Sequence, residues 1–89
     1  MANHKSARKK ARKDEERRVR NRFWRARLRS QIRLYRESIA AGDRGQAGRL
    51  LNPILGLVDR TARAGVIHDN TAARTKSRLQ AAYNKVLAG

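Results

Sequence analysis

The sequence has no cysteine, one proline and one tryptophan, and sets only 7 acidic residues against 23 Lys and Arg. Each shortage excludes something. Without cysteine there are no disulfides, thiolate zinc sites or cysteine nucleophiles, and no sign of an oxidising compartment. Apolar runs stop at two or three residues, far short of the ~20 that span a bilayer, and no signal-peptide apolar segment follows the basic start. A soluble, intracellular protein is expected. The histidines are only His4 and His68, in no metal-ligand spacing, and no Gly-rich phosphate loop or Walker pattern occurs. General-base, nucleophile and metal constellations are missing. No catalytic or metal-binding residue is therefore assigned, no cofactor or small-molecule substrate is expected, and the chain is not read as an enzyme. The one acidic cluster, Asp14, Glu15 and Glu16, reads as a solvated salt-bridge set, Glu15 to Arg18 at i,i+3 and Glu16 to Arg20 at i,i+4.

What the sequence does have is positive charge. Its 89 residues carry a formal +16, and that length suits one small domain. Of 35 hydrophobic residues 14 are Ala, leaving 21 larger side chains for a thin core. Residues 1–36 hold 15 basic and 3 acidic residues, and residues 37–89 hold 8 and 4. Only Met1, Val19 and Phe23 of the larger apolar residues precede Trp24. Residues 1–23 therefore cannot bury themselves and are expected to be disordered or extended when alone, with a polyanion as the missing partner. Arg outnumbers Lys 17 to 6, a bias that solubility does not require, and guanidinium forks grip phosphate bidentately and stack on bases.

The periodicity is helical throughout. No Pro or Gly occurs before Gly42, so one long first helix is expected, capped by Ser6 and stopped at Gly42. At 100° per residue from Val19, Trp24, Leu28, Ile32, Tyr35 and Ile39 fall between about 140° and 220°, one narrow stripe facing the rest of the protein. Arg18, Arg20, Arg22, Arg25, Arg27, Arg29, Arg33 and Arg36 surround the remaining sides. Asp43 caps a second helix, in which Ala47, Leu50, Leu51, Ile54, Leu55, Val58 and Ala62 keep phase until Gly65. Pro53 should kink it; a break into two helices, with Asn52 capping, is the alternative. Val66 and Ile67 form an apolar connector, and Asp69 or Asn70 caps a third helix from Thr71 to about Leu87, with Ala72, Leu79, Tyr83 and Val86 in phase. No strand pattern appears. The expected fold is all-α: a three-helix antiparallel bundle over residues 24–89, with a long, protruding basic N-terminal helix whose residues 1–23 form an extension beyond it, all one domain.

Lys5, Arg8, Lys9, Lys10, Arg12 and Lys13 occupy the first turns of that helix, where positive charge opposes the dipole and like charges repel. Phosphates placed between them reverse the effect, so the helix is expected to order on nucleic acid. A basic zipper is too short here, because Leu28, Ile32, Tyr35 and Ile39 span under two heptads before Gly42. Cations on nearly every side suit a crevice in folded RNA better than one face of duplex DNA. A membrane-surface helix needs a broad apolar face that this one lacks. Val19 and Phe23, opposite the stripe, have two readings: contacts to sugars or bases, and plain exposed apolar residues. A basic DNA-compacting protein is the rival reading from another class, and a membrane-active cationic peptide the third.

Met1, Ala2, Asn3, His4, Lys5, Ser6 and Ala7 at the start, Ala41, Gly42 and Asp43 at the first turn, and Gly-Val-Ile-His-x-Asn-x-Ala-Ala-Arg-x-Lys from Gly65 to Lys76 carry a resemblance. In these, and in order and length, the chain resembles the family of the twentieth protein of the bacterial small ribosomal subunit. The resemblance implies a three-helix bundle with a long first helix and a structural, cytoplasmic role in the small subunit. It implies direct binding to small-subunit ribosomal RNA during early assembly, bridging the 5′ domain and the long helix near the 3′ end, beside other small-subunit proteins. Carried over, the RNA contacts are Asn3, His4, Lys5, Ser6, Arg8, Lys9, Lys10, Arg12, Lys13, Arg17, Arg18, Arg20, Arg22, Arg25 and Arg29, then His68, Asn70, Arg74, Lys76 and Arg78. The chain departs from the family at Asp69, where a cation is usual. His68 reads either as a local hydrogen-bonding residue or as an RNA contact, and Asn70 as a cap or a contact. Arg74 and Arg78 stand at i and i+4 on one face of the third helix, whereas Lys76, at i+2, falls on the opposite side. The three cannot all share one ridge.

Overall fold

Ala, Arg, Lys, Glu and Leu, all good helix formers, dominate the stretch before Gly42. In the computed structural model, which describes residues 2–89 and side chains from residue 6 onward, this stretch is one unbroken helix, α1 (Ala2–Ala40). Ser6, expected as its N-cap, lies inside it: the helix already runs from Ala2, so the serine hydroxyl has no chain end to cap. At ~1.5 Å per residue α1 is about 58 Å long, and it sets the long dimension of a molecule measuring 67 × 21 × 15 Å.

Two glycines with positive φ make the turns. Gly42, at φ 71°, donates its N–H to the Ile39 carbonyl at 3.1 Å, while the Asp43 N–H reaches the Ser38 carbonyl at 2.9 Å. These are the paired bonds of a Schellman motif. The same device ends α2 (Arg44–Arg63): Gly65 at φ 78° donates to Ala62 at 2.9 Å, and Val66 to Thr61 at 3.2 Å. Asp43 caps α2 as expected, its Oδ1 accepting from the Gln46 N–H at 3.0 Å. The helix runs through Pro53 without a break, so the two-helix alternative does not occur. Pro53 sits on the solvent side with Asn52 and Gly56, all three exposed.

The cap of α3 (Asp69–Ala88) differs from expectation. It is His68, in extended conformation at φ −72°, ψ 152°, whose Nδ1 accepts from the Asn70 N–H at 3.0 Å. Neither Asp69 nor Asn70 caps, because the helix begins earlier than Thr71. Asp69 stands instead in the first turn, where its carboxylate complements the helix dipole.

The helices meet along one seam. Leu28 and Tyr35 of α1, Ala47, Leu51, Ile54, Leu57 and Val58 of α2, and Ala72 and Leu79 of α3 form the buried core. Trp24, Ile32, Ile39, Leu50, Leu55, Ala62, Ala82 and Tyr83 pack half-buried around it. Asp59 pairs with Lys76, and Gly48 lies against Tyr83, so α2 and α3 run in opposite directions. Tyr35, fully buried, ties α1 to α3 by donating its hydroxyl to the Leu79 carbonyl at 2.6 Å. Thr61, also fully buried, donates to the Leu57 carbonyl at 2.7 Å. The three-helix expectation holds, long first helix included.

Candidate nucleic-acid interface

The bundle covers α1 only from about residue 21 onward. Every side chain from residue 6 to residue 20 is exposed, and burial begins with Asn21, Trp24 and Leu28. The backbone of α1 from residue 2 to residue 20 thus overhangs by about 28 Å at 1.5 Å per residue. Ser6, Arg8, Lys9, Lys10, Arg12, Lys13, Arg17, Arg18 and Arg20 all lie on it, exposed. Arg22, Arg25 and Arg29 continue the array, exposed, alongside the bundle. Asn3, His4 and Lys5 belong to α1 by backbone, but their side chains lie outside the described residues.

The acids do little to neutralise this array. Arg18 Nη1 lies 3.5 Å from Glu15 Oε2, with both side chains more than half exposed; such a pair is worth about 0–1 kcal/mol. The expected Glu16–Arg20 pair does not form among the described residues, because both side chains point into solvent where nothing holds them together. Arg17, Arg18, Arg22, Arg25 and Arg29 line one open trough along α1, with Asp14 at its N-terminal end. From Arg17 to Arg29 it runs about 18 Å. Five guanidiniums along such a length present repeated bidentate donors, and donors of this kind match the oxygens of a phosphate strand.

The second group of expected residues divides. Arg74 and Arg78 are exposed on α3. Lys76 turns the other way, its Nζ 2.8 Å from Asp59 Oδ1, and clips α3 to α2. Their spacing on a helix predicted that split. His68 is exposed and spends Nδ1 on the helix cap, which leaves Nε2–H of the neutral ring as an outward donor. Capping and ligand contact are thus compatible at this residue. Asn70 gives only its backbone N–H to the cap, and its exposed side chain makes no hydrogen bond among the described residues.

One pairing was hidden from the sequence. Arg36 and Arg78 flank a groove between α1 and α3 lined by Tyr35, Ile39, Ala40, Leu79 and Ala82. These arginines lie in the first and last helices, far apart along the chain, so only helix packing joins them. The available signal was that each immediately adjoins a core residue, Tyr35 or Leu79. Among the described residues no group of His, Cys, Asp or Glu is arranged to hold a metal ion, and no helix is long and apolar enough to cross a membrane.

The family profile described as ribosomal protein S20 matches residues 2–84. The chain is 48% identical over 84 residues, 94% of its length and 98% of the relative's, to the small ribosomal subunit protein bS20 of Syntrophobacter fumaroxidans. It is 45% identical to the protein of that name from Mycolicibacterium smegmatis, across 97% of this chain and all of the relative. With that of Thermomicrobium roseum it shares 42% over 98% of this chain and 88% of the relative. With the profile covering nearly its whole length, this chain belongs to the ribosomal protein S20 family.

Proposed function

We propose that this chain is a structural constituent of the small ribosomal subunit that binds the subunit's RNA directly, in the bacterial cytoplasm, and holds separate RNA segments side by side during early assembly. One observation carries the reading: an overhang of about 28 Å with every side chain from residue 6 to residue 20 exposed and crowded with cations. A helix of that kind is costly alone, because its like charges repel and its first turn has no acidic residue. Phosphates converging on it from several sides turn repulsion into attraction. The extension, residues 1–23, enters the RNA, and the bundle, residues 24–89, sets its direction.

A second contact comes from the start of α3, through His68, Asn70, Arg74 and Arg78. Two separated contact zones on one elongated molecule suit a bridge, and the 5′ domain and the long helix near the 3′ end are the segments proposed. Other small-subunit proteins are neighbours in this reading, and no substrate is turned over.

Salt titration of binding to small-subunit ribosomal RNA tests the proposal. With about 8 phosphates neutralised, affinity falls roughly 10³- to 10⁵-fold between 50 and 200 mM salt; a flat titration overturns it. Competition with duplex DNA separates the DNA-compacting alternative, which requires DNA to displace the RNA. Liposome leakage tests the membrane-active one. In this reading like charges fray the free end of α1 in solution, so far-UV circular dichroism should gain helix signal when RNA is added.

A further inference from the structure

Phe23 is 60% exposed and Val19 is 55% exposed, the two most exposed large hydrophobic side chains among the described residues of α1. They stand one helical turn apart, at i and i+4, on the side of α1 away from the bundle. Together they floor a shallow groove whose other walls are Arg12, Glu15, Glu16 and Arg20. Arg20 precedes Phe23 by three residues and Arg27 follows it by four, so both guanidiniums neighbour the ring on the helix surface. Among the described residues neither arginine is engaged in an ion pair. The ring itself is steadied from below. Phe23 and Trp24 stack edge to face, centroids 6.4 Å apart and planes at 76°, and Trp24 packs against the bundle core. Phe23 is thus an aromatic ring held at the root of the overhang, open to solvent and neighboured by cations.

We propose that Phe23 is a stacking platform for one unpaired nucleobase, with Arg20 and Arg27 holding the phosphates on either side of that nucleotide and Val19 covering its edge. This rests on the RNA-binding reading above and adds a contact that charge alone does not supply. An apolar patch awaiting a protein partner needs no flanking cations, whereas a base displayed from a strand brings a phosphate at each side. Single-stranded or bulged nucleotides are the parts of RNA that proteins take up by aromatic stacking. Glu16 stands one turn before Arg20, at i,i+4, but forms no ion pair with it among the described residues, so the Arg20 guanidinium stays open to a phosphate.

The test compares the intact chain with F23Y, F23L and R20A, using an RNA duplex carrying one bulged nucleotide and the same duplex without it. The expected result is a preference of the intact chain for the bulged RNA, kept by F23Y. F23L retains apolar bulk without a π-face and should lose between about fivefold and a hundredfold in affinity for the bulged RNA, the range for one stacked base. Its salt slope should not change, because stacking releases no counterions, whereas R20A should lower the slope by about one phosphate. If F23L binds both RNAs as the intact chain does, Phe23 stacks on no base and the proposal is overturned. If instead the intact chain shows no salt-dependent binding to either RNA, the RNA-binding reading itself fails, and the two failures are distinct.

Discussion

At the scale of single residues, glycine shows how the same substitution takes opposite meanings. Gly56 is exposed in the interior of α2, and an added Cβ there meets nothing within 4 Å. Gly56→Ala should therefore stabilise by about 0.5–1 kcal/mol, the helix-propensity difference. Gly48 lies in the same helix, but a Cβ there would stand 2.7 Å from the Tyr83 hydroxyl, so Gly48→Ala must push the ring aside and lose most or all of that gain. Thermal unfolding of the two variants checks the contrast, and equal gains would contradict this placement of Tyr83. Tyr35 carries the pH dependence. Burial, and then the neighbouring Tyr83, raise its phenol above the ordinary 10.0. The folded state thus keeps a proton that the unfolded chain gives up. Stability is complete below about pH 10 and falls as pH rises from there through the raised value. Tyr35→Phe should remove that alkaline loss while costing about 1 kcal/mol at neutral pH for the hydroxyl bond to Leu79. Denaturant melts at neutral and at strongly alkaline pH measure both. Asp43 and Gly42 were readable as cap and stop because their roles depend on neighbouring backbone alone. His68 was not readable as a cap, since an imidazole serves only where the chain arrives extended and turns Nδ1 inward.

At the scale of elements, α2 carries the most consequence. It packs against both α1 and α3, so its buried arc is wider than one stripe. That is why Leu57 and Thr61 are buried although a single-face count omits them, and why Leu50 and Leu55 are only half covered. Pro53 costs α2 the bond to the Arg49 carbonyl, and its exposed position makes the loss tolerable. Pro53→Ala should raise stability by about 1–3 kcal/mol, seen as a rise of several degrees in Tm. No change would mean that the missing bond is already offset. For α1 the sequence foretold length and buried face, because both follow from the absence of helix breakers and from the helical period. The start of the helix was misjudged at Ser6, since a serine is a cap only where the chain before it is not already helical.

At the scale of the whole molecule, the two halves of α1 answer to different forces. Every side chain from residue 6 to residue 20 is exposed, so deleting residues 6–20 should leave the unfolding free energy within about 0.5 kcal/mol of the intact chain, as surface changes do. The same deletion should remove most of the salt-dependent affinity for ribosomal RNA. Circular dichroism melts and binding titrations read the two effects separately. A large loss of stability would place the overhang within the cooperative unit.

The sequence by itself determined the helical class, the turns at Gly42 and Gly65, the seam residues on α1, the excess of positive charge before Trp24, and membership of a ribosomal family. All of these rest on local chemistry or on counting, which no distant contact alters. Only the tertiary structure decided that Lys76 pairs with Asp59, that Arg36 and Arg78 share a groove, and that Tyr35 locks α1 to α3. Those depend on the relative placement of helices joined by short turns. That placement is set by how side chains of three separate segments fill one narrow core, which no segment specifies alone.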